Sequence, residues 1–243
     1  MSTSKADIKW IRSLHLKKFR NDQGLYVVEG RKMCEEAFRD AEVVRAFTID
    51  PSETTSSPWE PVSLDDMARM SALHSPSPCL AIVKQRTWET WGIKGNTCLV
   101  LDGISDPGNF GTLIRTAEWF GVHSIFCTAD TVDCYNPKSI QSSMGSIFRQ
   151  DIYYGEPDQL VEFLSRKNFS LIAAMLEGES VFDYPWPTSA ALVIGSESHG
   201  IRSNWQSSIP PKLTIPGAAG AESLNAAIAG SILMAERYRA THG

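Results

Sequence analysis

The chain has no uninterrupted apolar run near the roughly 20 residues that a membrane-spanning helix requires. Its opening, MSTSKADIKW, carries no apolar signal core, so a cytoplasmic protein without a membrane partner is expected. Cysteine is sparse. Cys34, Cys79, Cys98, Cys127 and Cys134 contain no CxxC pair and no zinc-cluster spacing, so reduced core thiols and no metal are expected. Two common phosphate-binding signatures are missing as well: there is no GxGxxG string and no GxxxxGK[ST] loop. Uniform positive charge is also absent, because the formal net charge is −5. That excludes an evenly basic nucleic-acid coat, although the placement of charge matters more than its total.

Placement is uneven. Residues 1–20 carry Lys5, Lys9, Arg12, Lys17, Lys18 and Arg20 against one acid, Asp7. Such a run reads either as a solvated helix face or as a surface for phosphates. Residues 6–20 look helical, 26–30 look like a strand, 31–40 return to helical composition, and 42–50 form a second strand. The Pro/Ser/Thr run 51–61 is expected to be a loop, with a helix at 64–72 and a strand at 79–84 behind it. Residues 84–96 have no clear period and precede the strongest strand of the chain. The domain junction is placed there, giving domains 1–90 and 91–243.

From residue 97 strands and helices alternate: strands at 98–102, 123–127, 169–174, 190–194 and 212–215, and helical segments at 109–120, 137–143, 157–167 and 223–239. Strands separated by helices imply a parallel sheet covered on both faces, an α/β architecture. In the first helix Phe110, Leu113, Ile114 and Ala117 recur at helical spacing, with Gly121 as a left-handed stop. Arg115 lies well off that apolar stripe, available to solvent, a ligand or another subunit, and Asn109 sits at the expected N-cap.

Three turns rich in glycine and small polar residues stand behind apolar strands, in 99–121, 191–201 and 213–236. Backbone N–H groups converge where strands end and helices begin, which is the usual ligand edge of such a sheet. In GSESHG (195–200) the Ser198–Gly200 spacing half-matches a hydrolase elbow, but Ser196 stands where that motif needs glycine. Glu197 is a carboxylate in a tight turn, and it reads as a cap or as a ligand group. In IPGAAGAESLNAAIAG the small residues leave the backbone unshielded, and Ser223 is expected to start a helix whose first turn carries Asn225.

In order and spacing the three turns resemble the SpoU or TrmH branch of the SPOUT RNA methyltransferases. The first family motif, NxGxxxRTA, stands at Asn109, Gly111, Arg115, Thr116 and Ala117. A GxExxG turn stands at Gly195, Glu197 and Gly200, and the third motif at Ile215, Pro216, Gly220, Ser223, Leu224 and Asn225. Residues 142–149, SSMGSIFR, are similar to a family segment between the first two motifs, and residues 11–37 are similar to the ribosomal-protein-like RNA-binding domain that often precedes the catalytic one.

The resemblance implies a C-terminal α/β trefoil-knot domain, in which the chain after the second motif threads a loop, preceded by a small α/β RNA-binding domain. It implies S-adenosylmethionine as cofactor, held by Ile194, Gly195, Ser196, Glu197, Gly200, Ile215, Pro216, Gly220, Ser223, Leu224, Asn225 and Ala226. The implied reaction is methylation of a ribose 2′-hydroxyl in structured RNA, with ribosomal RNA favoured over transfer RNA, by a homodimer. Arg115, Asn109, Glu197, Ser223 and Asn225 would be the catalytic residues. Lys9, Arg12, Lys17, Lys18, Arg20, Arg31, Lys32 and Arg149 are the candidates for the basic surface that such a substrate needs. Two other classes remain open: an RNA-binding protein that keeps the fold without catalysis, and a small-molecule α/β enzyme using the same turns for a nucleotide.

Overall fold

Two sheets organise the chain in the computed structural model, which describes residues 3–50, 52, 58–196, 198–202, 212–218 and 222–243. They belong to two compact units, Met1–Thr87 with Asp133–Phe148 and Trp88–Val132 with Arg149–Gly243. The expected domains 1–90 and 91–243 differ from these units chiefly by the excursion of Asp133–Phe148.

In the first unit β1 (Leu25–Glu29), β2 (Val43–Thr48), β3 (Trp59–Pro61) and β4 (Cys79–Lys84) form a sheet in the order β1-β4-β2-β3. β4 runs antiparallel to both neighbours, and β2 pairs with β3 in parallel. β3 falls inside the stretch expected to be loop; residues 51 and 53–57 of that stretch lie outside the described residues. The expected helix over 6–20 is broken into α1 (Lys5–Ser13) and α2 (Lys17–Gln23), because Leu16 takes an extended conformation. Arg20 accounts for the break. It is buried, and its guanidinium donates to the carbonyls of Leu14 and His15 at 3.1 and 2.7 Å, where α1 has run out of helical donors, while pairing with Asp133.

α3 (Arg31–Asp40) and α4 (Leu64–Met70) complete this unit, with Ile11, Leu14, Phe47, Met67, Met70, Leu80 and Ile82 fully buried at its centre. The excursion contributes α6 (Pro137–Ser143) and a 3-10 turn at Ser146–Phe148. Tyr135 fixes it to this unit, its ring 4.4 Å from that of Tyr26 and its hydroxyl accepting from Arg86 N at 2.9 Å.

The second unit carries β5 (Thr97–Asp102), α5 (Pro107–Trp119), β6 (Ser124–Thr128), β7 (Asp151–Gly155), α7 (Pro157–Arg166), β8 (Ser170–Ser180), β9 (Ala190–Gly195), β10 (Lys212–Thr214) and α8 (Ala226–His242). Its six strands pair in the order β10-β8-β9-β5-β6-β7, every pair parallel, as the alternating pattern predicts. β7 is the strand that the sequence reading omits. Phe110, Leu113, Ile114 and Ala117 of α5 are wholly buried, and burial of each large side chain contributes about 1.5–3 kcal/mol. From β5 the chain builds outward through β6 and β7, whereas β9 and β8 lie on the other side of β5. The carboxyl ends of β5 and β9 therefore flank the topological switch, where the loops diverge and leave a crevice.

All five cysteines are free and buried. No described helix is long and apolar enough to cross a membrane. Among the described residues no group of His, Cys, Asp and Glu is placed to hold a metal ion.

Candidate active site

The three turns all leave the carboxyl side of the second unit's sheet. The first leaves β5 at Asp102, swings through Gly103 at φ +68° and enters α5 behind Asp106. Asp106, rather than the expected Asn109, caps α5: its Oδ1 accepts from Asn109 N at 2.8 Å, and Pro107 occupies the first helical turn. Asn109 is thus a residue of the first turn and half-buried. Arg115 lies less than two turns further along and is exposed, as its position off the apolar stripe predicts.

The second turn closes on itself. Gly200, at φ +62°, donates its N–H to Ser196 O at 2.8 Å, and the two residues form an isolated bridge. A Cβ at Gly195 would lie 2.2 Å from the Gly200 carbonyl carbon, so glycine is required there by the close approach of two backbone segments. Ser196 Oγ accepts from His199 N at 3.2 Å, and Ser198 Oγ meets His199 Nδ1 at 2.7 Å. Ile194 is buried. Glu197 lies outside the described residues, as do residues 203–211, on which the expected threading depends.

The third turn follows β10. Ile215 is half-buried, Pro216, Gly217 and Ala218 are exposed, and Gly220 lies outside the described residues. Ser223 and Leu224 are exposed ahead of the helix rather than within it. Asn225 is the N-cap of α8, its Oδ1 accepting from Ala227 N at 2.9 Å and from Ile228 N at 3.3 Å, with Ala226 buried behind it. The same side chain turns its Nδ2 outward to Asn109 Oδ1 at 3.1 Å. The first and third turns therefore meet through two asparagines at the starts of neighbouring helices. Gly230 lets those helices close up: a Cβ there would lie 2.5 Å from Leu113 Cδ2. Thr116 Oγ1 and Ser231 Oγ add a contact of 3.2 Å further along.

Three residues that the sequence reading passed over stand at the same edge. Asp102, at the end of β5 and buried, accepts from Arg202 N at 2.9 Å and from Arg202 Nε at 2.7 Å. Arg202 Nη2 reaches the same carboxylate and also Asp130 Oδ1 at 2.9 Å. Hydrogen bonding to Asp102 raises the guanidinium's pKa above its ordinary value. The available signal was a lone carboxylate at the end of a central apolar strand, in LVLDG.

Of the basic candidates, Lys9, Arg12, Lys17, Lys18, Arg31 and Lys32 are exposed on the first unit. Arg20 is a correction, because a buried guanidinium occupied by two carbonyls and Asp133 serves its own fold and not an RNA surface. Arg149, in the second unit, is engaged through Nε and Nη2 with Glu118 and stays partly exposed.

The chain is 26% identical over 240 residues to the 23S rRNA (guanosine(2553)-2′-O)-methyltransferase RlmP of Bacillus subtilis, spanning 96% of each chain. It is 26% identical to human mitochondrial rRNA methyltransferase 3, over 93% of this chain and 70% of that one. Its fold matches a TrmH-family protein from Porphyromonas gingivalis with a TM-score of 0.90, at 31% identity and 98% coverage of both chains. It also matches the SpoU methyltransferase AviRb of Streptomyces viridochromogenes, solved in complex with AdoMet, with a TM-score of 0.86 at 22% identity over 97% of this chain and 98% of that one. The profile of an MRM3-like substrate binding domain matches residues 5–81. The profile of the SpoU rRNA methylases covers residues 96–235, more than half of the chain and all three turns, so this chain belongs to the SpoU rRNA Methylase family.

Proposed function

We propose that the chain transfers a methyl group from S-adenosylmethionine to a ribose 2′-hydroxyl of ribosomal RNA. The observation that carries this reading is the Asn225–Asn109 bond, which joins the third turn to the helix that presents Arg115. The turns suit the cofactor in their donor set, offering backbone N–H and C=O groups with little side chain over them. A Cβ at Gly200 or Gly217 would meet nothing within 4 Å, so both turns have open space beside the backbone. Ile194, Gly195, Ser196, Gly200, Ile215, Pro216, Leu224 and Ala226 would hold the cofactor mainly through that backbone.

When bound, the cofactor supplies an electrophilic methyl on a sulfonium, already a good leaving group. What the protein adds is an in-line acceptor and help with its proton, since a sugar hydroxyl is barely ionised at neutral pH. A guanidinium is too weak an acid to serve as the base, so Arg115 has another role. It clamps an RNA phosphate and stabilises the charge that develops on the acceptor oxygen, while the proton leaves to a phosphate oxygen or to water. Asn109 and Ser223 orient the acceptor ribose, and Asn225 holds Asn109 in place.

Lys9, Arg12, Lys17, Lys18, Arg31 and Lys32 bind RNA phosphates and confer position without sequence. The protein acts as a homodimer, supported by large exposed side chains on and beside the two site helices: Trp119 at 83%, Ile228 at 53%, Leu224 at 45% and Tyr238 at 43% exposure.

The test supplies radiolabelled S-adenosylmethionine with unmodified ribosomal RNA and, separately, transfer RNA, and maps labelled ribose by resistance to alkaline cleavage. Label at one 2′-oxygen in ribosomal RNA is expected. Label in transfer RNA alone overturns the substrate assignment, and label on a base overturns the reaction.

A further inference from the structure

The two ends of the second turn return to a single side chain. Asp102 pairs with Gly195 in the β5–β9 ladder, so its carboxylate stands beside the point where the chain enters the turn. Seven residues later the chain comes back. Arg202 places its N–H and its Nε on the two oxygens of that carboxylate, at 2.9 and 2.7 Å, and its Nη2 on both Asp102 and Asp130. The Asp102 side chain is wholly buried, so its bonds to Arg202 are charge-assisted and sheltered on the carboxylate side, whereas the bond to Asp130 lies in the open. Asp130 is itself fixed, its Oδ1 accepting from Thr128 Oγ1 at 2.7 Å, and Thr128 Oγ1 accepts from Gly103 N at 2.9 Å where the first turn begins.

We propose that Arg202, seated on Asp102 and Asp130, is the positioning residue of the cofactor turn: it sets Gly195, Ser196 and Gly200 against the first turn and thereby sets affinity for S-adenosylmethionine. It does so from the closed base of the loop and does not act on the methyl acceptor. The inference rests on the methyltransferase reading above. Other arrangements fit less well. A guanidinium held by two carboxylates is already neutralised, which makes it a poor phosphate ligand, and the Arg202 backbone N–H is committed to Asp102.

The test compares the full-length wild type with Arg202→Ala, Arg202→Lys and Asp130→Asn by calorimetric titration of S-adenosylmethionine, filter binding of ribosomal RNA, and steady-state kinetics. Arg202→Ala is expected to raise the Kd and KM for S-adenosylmethionine about tenfold, with kcat within about twofold and RNA affinity unchanged. Arg202→Lys keeps one charged donor and the backbone bond, and so recovers part of that loss. Should the alanine variant fail to fold, Asp130→Asn removes the outer charge while leaving Asp102 paired, and is expected to raise the same Kd about twofold to threefold. Wild-type cofactor affinity in Arg202→Ala overturns the proposal, as does lost RNA affinity with cofactor binding intact. A wild-type chain that binds no S-adenosylmethionine overturns the methyltransferase reading and this inference together.

Discussion

Asn225 Nδ2 donates to Asn109 Oδ1 at 3.1 Å, across 116 residues of chain, while Asn225 Oδ1 caps α8. One side chain therefore holds two turns in register through its acceptor and its donor. Asn225→Ala is expected to cost about 1 kcal/mol for the cap alone, with a further loss from the bond to Asn109. In a double-mutant cycle with Asn109→Ala, read by denaturant unfolding, the two losses are expected to be non-additive by about 0.5–1 kcal/mol. Strict additivity would show that the bond carries no weight.

Gly195 has no room for a side chain. Gly195→Ala places a carbon 2.2 Å from the Gly200 carbonyl carbon, so the second turn must open. Cofactor binding is expected to fall at least about tenfold, whereas Gly217→Ala, whose added carbon meets nothing within 4 Å, is expected to leave stability unchanged within about 0.5 kcal/mol. Calorimetry and thermal melts on the pair check both halves.

Much of this architecture is legible in the sequence where the signal is local. The stripe Phe110, Leu113, Ile114 and Ala117 buries as its spacing predicts, and Gly121 takes φ +70° after the helix. Where the deciding partner is distant, the sequence is silent. Ile8, Ile11 and Leu14 recur at helical spacing with no stop signal behind them, and the break between α1 and α2 depends on Arg20 and on Asp133, 113 residues away. Asp102 and Arg202 lie 100 residues apart and share no motif. The displaced cap of α5 is a different failure. Pro107 announced a helix starting earlier than the apolar stripe, and Asp106 stood immediately before it.

Arg237 is a buried cation that works through hydrogen bonds. It donates to the carbonyls of Pro187 and Thr188, both at 2.7 Å, and to Thr97 Oγ1 at 3.2 Å, and burial lowers its pKa from the ordinary value. Arg237→Ala leaves two carbonyls without that donor and is expected to destabilise the protein by about 2–4 kcal/mol in chemical unfolding. A loss below about 0.5 kcal/mol would assign those carbonyls to solvent.

The basic surface separates by burial. Neutralising Lys17 and Lys18 together, both exposed, is expected to weaken RNA binding and to lower the salt slope of log K by about 1.5, at unchanged thermal stability. Arg20→Ala is expected to do the reverse, lowering stability by about 2–4 kcal/mol because Asp133 and two carbonyls lose their partner. Equal salt slopes for wild type and the double lysine variant would remove this face from the RNA interface.

The most direct measurement of the central claim is single-turnover methyl transfer to ribosomal RNA by wild type and Arg115→Ala at saturating S-adenosylmethionine, with the product mapped to its ribose. Arg115 is exposed and lies off the buried stripe, so its loss is expected to leave folding and cofactor affinity intact while slowing transfer at least about a hundredfold. Wild-type transfer rates in Arg115→Ala would contradict the claim that α5 presents the catalytic group.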